Sequence, residues 1–225
     1  MVKYYLVGGA VRDKFLGKQS KDMDYAVEAE SFDAMRSDII AKGGKIFLEK
    51  PEFLTIRARF GRDTADYVLC RKDGAYSDGR HPDTVEVGTI ADDLARRDFT
   101  MNAIAIEVGT DKIIDPFNGQ ADIKSKHIRC VGYATQRLDE DALRMIRAIR
   151  FAVTLGFGIN DDIQIYMWNN ADKLRQVSQE RVREELTKCF QHDTIETLYR
   201  LKQFPGITGV AFEGKMWLKP TFEER

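Results

Sequence analysis

The amino-terminal run KYYLV meets two glycines and a short helical segment, AVRDKFLG, and a second run, DMDYAVE, follows at once. No other feature of the chain restricts its fold as much. Aromatic and β-branched residues bounded by glycine predict a strand, a tight turn, a short helix and a second strand. The side-chain period of a strand is two, so Asp22 and Asp24 are expected on one face, with Met23 opposite. Two carboxylates that close repel, and one would ordinarily keep a proton. A divalent cation removes the conflict, and Mg²⁺ favours one or two carboxylates plus substrate phosphates. A solvated acidic strand end fits the same spacing, so the pair decides nothing alone. An EF-hand loop is disfavoured, because Ala26 and Val27 stand where it needs an Asp or Asn and a Gly.

The alternation continues. SFDAMRSDIIAKGG predicts a helix capped by Ser31 and stopped at Gly43. FLTIRARF and ADYVLCR predict strands joined at GRD, and KDGAYSDGRHPDT predicts a mobile polar loop. TIADDLARRDFTMNAIAIE reads as helix and then strand, and KIIDPFNG as strand and turn. From about Arg137 the period changes: Leu138, Ala142, Ile146, Ile149 and Val153 form a helical stripe, and helices are expected to about Lys202. SQERVREEL is expected to open one of them with a cap. The expected class is α/β or α+β, a mixed sheet with helices over residues 1–135 and a helical segment over 136–225, with a seam at GYATQR. Hydrophobic residues make up 43% of the 225, enough for a core, and no run approaches a signal peptide or a membrane span. The net charge of −1 argues against a general polycation and leaves room for a local basic patch. Cys70, Cys130 and Cys189 are scattered, with no C-x-x-C, and His81, His127 and His192 form no ligand motif. A reducing, cytoplasmic setting is therefore expected.

Four stretches carry chemistry. In LVGGAVRD, Gly8 and Gly9 let the backbone approach a ligand, and Arg12 adds a charge suited to phosphate. A tight strand-to-helix turn explains the glycines equally well. A dinucleotide fingerprint does not fit, since no third glycine is placed correctly, and neither does a P-loop, since Arg12 occupies a required glycine position and Gln19 follows Lys18. The second stretch is the Asp22/Asp24 pair, with Asp66 as candidate third carboxylate or simply an acid ending a turn. A phosphate cradle followed by a metal clamp is the order nucleotidyl transfer needs, with two Mg²⁺ ions expected to activate an attacking hydroxyl and steady the pyrophosphate leaving group. In RRDFTMNA, Asp98 and Asn102 lie four apart and would share a helical face able to hold a ribose hydroxyl, with Arg97 on a phosphate. A helix-end ion-pair network is the plainer reading. In EDALRMIRAIR, Asp141, Arg144, Arg147 and Arg150 step round a helix opposite its apolar stripe. They would pair with one another as a solvated face, or Asp141 and Arg144 would read a base. Cytosine and adenine both show an amino donor beside a ring-nitrogen acceptor, whereas guanine and uracil show a carbonyl and an N–H. A wrong base would leave buried polar groups unpaired, at about 1–3 kcal/mol each. Arg147 and Arg150 would then remain for the phosphates.

Taken together, GGAVRD, DMD, RRDFTMNA and EDALR resemble, in order and spacing, the class II tRNA nucleotidyltransferases, the CCA-adding enzymes, and the related bacterial poly(A) polymerases. YSDGRHPDTVE and DPFNG look similar too. The resemblance implies a polymerase-β-like head and an all-helical neck, Mg²⁺ at Asp22 and Asp24, and Gly9, Arg12, Arg97, Arg147 and Arg150 round the nucleotide. It implies Asp98 near the ribose and base reading by Asp141 and Arg144. The implied activity is untemplated addition of C, C and A from CTP and ATP to tRNA 3′ ends. The resemblance implies body and tail domains, whereas the chain stops at KPTFEER; either a naturally compact form or a piece of a longer product is expected, with a modest grip on tRNA, and a homo-oligomer is possible but not indicated. Other readings are A-only or CC-only addition, poly(A) synthesis, and a non-catalytic nucleotide- or RNA-binding module. The module predicts damaged acids, yet Asp22 and Asp24 are intact.

Overall fold

The computed structural model describes residues 1–20, 22–76 and 82–213. They divide into two compact units, the first ending at Ser125 and the second beginning at Lys126. The first opens with β1 (Lys3–Val7), α1 (Gly9–Phe15), β2 (Asp24–Glu28) and α2 (Phe32–Ala41). Then come β3 (Lys45–Lys50), β4 (Thr55–Phe60), β5 (Asp63–Leu69) and the hairpin β6 (Arg71–Asp73) with β7 (Val85–Val87). The unit closes with α3 (Ile90–Ala95), β8 (Ala105–Glu107), β9 (Ile113–Ile114) and α4 (Gly119–Ser125).

Seven strands form one mixed sheet in the order β3-β4-β5-β2-β1-β8-β9. Only β2 and β5 run parallel; the other neighbours are antiparallel. Strand alternation sorts the residues onto two faces. Val27, Ile56, Ala58, Tyr67 and Leu69 pack with Met35 and Ile39 of α2 into a buried cluster. Tyr25 stacks on Tyr67 at 5.2 Å, with Phe60 and Tyr4 edge-on to the same ring. The helix start matches the sequence: the Ser31 hydroxyl accepts from the Ala34 amide at 3.1 Å, and Gly43 takes φ +85° just past the end.

Three features of this unit depart from the sequence reading. Asp22 precedes β2 rather than lying in it, because pairing with β1 begins at Val7 opposite Asp24. The segment KIFLEK forms the unexpected β3. It is an edge strand with a register shift between Ile46 and Leu48, which erases the alternation that announces a strand. The expected polar loop is anchored at both ends by β6 and β7, and its residues 77–81 lie outside the described ones.

The second unit contains β10 (His127–Ile128), α5 (Ala134–Glu140), α6 (Leu143–Leu155), β11 (Gly158–Ile159), α7 (Asp161–Asn169), α8 (Gln179–His192), α9 (Thr194–Gln203) and α10 (Pro205–Glu213). Apart from the two-residue pairing of β10 with β11 it is helical, and α6 packs against α8 and α9. Leu138, Ala142, Ile146, Ile149 and Val153 are all buried, as their spacing predicts. The single helix expected through them is broken, however. Asp141 is extended, and its carboxylate accepts from the Leu143 amide at 3.0 Å, which offers the backbone an alternative to another helical turn. Ser178 does precede α8 as expected, but its hydroxyl makes no capping bond. Among the described residues no helix is long and apolar enough to cross a membrane, and the three cysteines are buried free thiols.

Candidate active site

Gly8 follows β1 with φ 68° and ψ −135°, a conformation open essentially to glycine. A Cβ there would lie 3.1 Å from Nη1 of Arg97, so the bend is also where that guanidinium comes to rest. Arg97 is fixed from two sides. It bonds Asp93 Oδ2 at 3.0 Å through Nη2 and donates to the Asn102 carbonyl at 3.3 Å through Nη1. Arg12 donates to the Asn102 side chain at 2.9 Å and grips Asp13 with two nitrogens. The Asn102 amide in turn donates to Asp98 at 3.1 Å. Four expected residues, Arg12, Arg97, Asp98 and Asn102, thus form one connected group beside the glycine bend. Asp98 and Asn102 meet as the spacing of four suggested. They do so across a 3₁₀ turn at Thr100–Asn102 rather than on an α-helix.

Asp24 and Asp66 lie on neighbouring strands, β2 and β5, with Asp22 just before β2. Asp24 stands opposite Val7 on one side and opposite Asp66 on the other. The Asp24 side chain is exposed, yet nearby protein atoms remove part of its hydration and Asp66 adds like charge. Both raise its pKa above the ordinary carboxylate value; Arg97 pulls it down and Asp22 pushes it up again. Asp66 is close in register but not idle: both its oxygens are held by Arg57, each at 2.7 Å. The expected third carboxylate is therefore already clamped by a guanidinium. Among the described residues no group of three or more His, Cys, Asp or Glu encloses a ready-made metal cage.

In the second unit, EDALR is wired differently from its helical reading. Asp141 sits between α5 and α6 and is bound by Arg181 of α8 at 2.8 Å. Arg144 donates to Glu140 at 2.8 Å and to the Arg137 carbonyl at 2.6 Å. Arg147 and Arg150, expected to remain for phosphates, both approach Glu185 of α8. Burial alone would raise the Glu185 pKa, but Arg150 and Arg147 hold it below the usual range. Asp141 and Arg150 find partners on α8, Arg144 bonds Glu140 and the Arg137 carbonyl of α5, and Arg147 and Arg150 also lie over the Phe151 ring of their own helix.

Sequence reasoning missed four residues that position the rest: Asp93, Glu140, Arg181 and Glu185. Asp93 was legible, since it lies three and four residues before Arg96 and Arg97 and bonds both. Arg181 and Glu185 reach Asp141 and Arg150 across 40 and 35 residues, a pairing no local pattern announces.

Residues 4–129 match the family described as Poly A polymerase head domain. Residues 156–204 match a family described as a probable RNA- and SrmB-binding site of polymerase A. A CCA-adding enzyme of Oceanobacillus iheyensis is 40% identical over 188 residues, spanning 83% of this chain and 46% of its own. The crystal structure of the Bacillus stearothermophilus CCA-adding enzyme with CTP superposes with a TM-score of 0.79 at 34% identity, covering 92% of this chain and 49% of that one. The Thermotoga maritima CCA-adding enzyme bound to tRNA superposes at 0.77 with 27% identity, over 97% and 50%. The chain thus spans about half the length of the curated relatives it matches.

Proposed function

The chain belongs to the poly(A) polymerase head-domain family, and from that premise we propose that it is a template-independent RNA nucleotidyltransferase that adds C and A to tRNA 3′ ends. Residues 1–135 are assigned as the catalytic head and 136–225 as the neck. The observation that carries the reading is the adjacency of β1 and β2. A glycine bend lined by Arg97 and Arg12 ends one strand, and Asp24 opens the next in direct register with it.

The donors suit magnesium. Asp24 loses hydration and is crowded by Asp66 and Asp22, which outweigh the pull of Arg97 and Arg57, and a metal that takes one or two carboxylates plus substrate phosphates relieves that crowding. Asp22 and Asp24 would hold it. A bound ion there would polarise the α-phosphate and steady the attacking hydroxyl. The chain's own groups do the rest. Arg97 and Arg12 neutralise and orient the triphosphate, Gly8 and Gly9 allow its close approach, and the Asp98–Asn102 pair receives the ribose. Asp66, held by Arg57, keeps a fixed carboxylate beside Asp24. The RNA 3′ hydroxyl loses its proton to solvent as its oxygen bonds the α-phosphorus, the bond from the α-phosphorus to the α–β bridging oxygen breaks, and that oxygen leaves with pyrophosphate. Arg147 and Arg150 add phosphate contacts. Asp141 and Arg144 select the base, with Arg181 and Glu140 fixing their directions.

Incubation with magnesium, labelled CTP or ATP, and tRNAs ending before, within and after CCA tests this reading. Extension of the first two groups and not the third is expected. Extension by ATP alone on any RNA would mark a poly(A) polymerase, and none on any RNA a binding module. Arg144→Ala is expected to blur the choice among the four nucleotides by about tenfold or more per lost bond pair. Selectivity equal to the parent chain would remove the base-reading role.

A further inference from the structure

One row of paired residues runs straight across four strands on the face that carries the acids: Asp24 on β2, Asp66 on β5, Arg57 on β4 and Leu48 on β3. Residues paired in register point to the same side of a sheet, and neighbouring strands lie about 4.8 Å apart, so the row reaches about 14 Å from Asp24. The next paired row outward joins Arg59 to Lys45. Between the rows, at the register shift, Phe47 is 50% exposed. Its ring is flanked by two cations, the Arg59 guanidinium at 5.2 Å and the Lys45 ammonium at 5.9 Å. Neither Arg59 nor Lys45 has a carboxylate partner among the described residues. Lys50 is exposed further along the strand. In a chain whose net charge is −1, this is a concentrated basic and aromatic strip.

Its side of the acids matters. The glycine bend and Arg97 lie towards β1, while the strip lies on the opposite flank, beyond β5. In phosphoryl transfer the attacking and leaving oxygens stand roughly in line across phosphorus. A triphosphate that departs on the β1 side therefore requires its nucleophile to arrive from the β5 side. An exposed aromatic ring with unpaired cations is what a single strand uses, stacking bases on the ring and placing phosphates on the charges.

We propose that the unpaired 3′ end of the acceptor RNA runs over the outer face of β5, β4 and β3, stacking a base on Phe47 and placing phosphates on Lys45 and Arg59. The inference rests on the nucleotidyl-transfer reading and extends it to the path of the second substrate. None of the three residues belongs to the catalytic group, so their replacement separates RNA binding from chemistry.

The test uses the full chain and a fluorescein-labelled tRNA lacking its CCA end, with anisotropy read across a salt series in the absence of nucleotide. Phe47→Ala is expected to weaken binding about fivefold or more, and Phe47→Tyr to restore it. Lys45→Ala with Arg59→Ala should lower the log–log salt slope by about 1.4, about 0.7 for each lost contact to a single strand. In steady-state addition the KM for RNA should rise while the KM for CTP and kcat stay unchanged. All these side chains are exposed, so unaltered thermal unfolding is expected to accompany the loss. Parental affinity and salt slope in both variants would overturn the proposal. So would a change in self-association with RNA binding intact, which would make β3 an interface between copies. If the parent chain binds this RNA but extends none, the transfer reading fails, and the binding series still decides the path.

Discussion

Asp24→Asn is expected to abolish nucleotide addition and, at the same time, to make the protein harder to unfold. The carboxylate opens β2 with Asp66 paired beside it and Asp22 two residues earlier. Its pKa is raised by lost hydration first and by Asp66 next, against the opposing pull of Arg97. The ionised form required to hold a cation is thus disfavoured by the fold around it. A carboxyl with a raised folded pKa contributes stability that is complete below its unfolded pKa and lost as pH rises through the folded value. At neutral pH the parent chain carries this penalty and the Asn variant does not. The thermal midpoint of Asp24→Asn should therefore exceed the parent's at pH 7, and the gap should close as pH falls below about 4. Loss of a metal ligand removes several kcal/mol of transition-state stabilisation, so addition should fall by about a thousandfold or more. A stabilised but inactive variant is the pattern expected where a site is built at the fold's expense. Retained activity, or a lower midpoint at neutral pH, would contradict this role.

Asp93→Asn should have the largest effect on stability. The side chain is 1% exposed and makes the common anchor for Arg96, at 2.6 Å, and Arg97, at 3.0 Å. Burial by itself would raise its pKa, yet the two guanidiniums hold it below the usual carboxylate range. The sign is opposite to that of Asp24. A lowered folded pKa gives stability that is present above the unfolded pKa of about 4 and lost as pH falls through the folded value. Removing one partner of a buried ionic group leaves uncompensated charge, at about 3–5 kcal/mol. Urea unfolding of Asp93→Asn at pH 7 should show that loss, with the difference shrinking in acid. Arg97 would lose its side-chain tether beside Gly8, and the KM for CTP should rise. Asp92→Asn is the control. Asp92 is half-buried and completes the capping box with Thr89, so its loss should cost about 1 kcal/mol and leave the KM unchanged. Equal effects of the two substitutions would show that Asp93 merely supports its helix.

Much of this arrangement was legible from the chain, and the failures have physical causes. The strand–glycine–helix start, the cap at Ser31 and the buried stripe from Leu138 to Val153 depend on local geometry and recur in the structure. The edge strand β3 escaped notice because half-exposed residues around a register shift carry no alternation. The break at Asp141 was hidden because an apolar stripe of helical spacing continues across it, while the competing bond lies between a side chain and the backbone two residues on. Within the site, Arg97, Asp98 and Asn102 are close in sequence and were found together. Arg12 reaches Asn102 across 90 residues, and only its charge beside the glycines drew attention. The expectation that Arg147 and Arg150 stand ready for phosphate did not anticipate Glu185, a buried acid contributed by α8. Composition suggested no strong preference for nucleic acid, because a net charge sums over the chain whereas the strip at Lys45, Phe47 and Arg59 is local.

The central claim is that Asp22 and Asp24 hold a divalent cation facing a triphosphate at the glycine bend. A crystal soaked with manganese and a non-hydrolysable CTP analogue tests it most directly, because manganese scatters anomalously and can be located without assumption. The account predicts manganese on the carboxylates of Asp22 and Asp24, with the triphosphate against Gly8 and Gly9 and in contact with Arg12 and Arg97. Manganese bound elsewhere, or a triphosphate seated away from that bend, would contradict it.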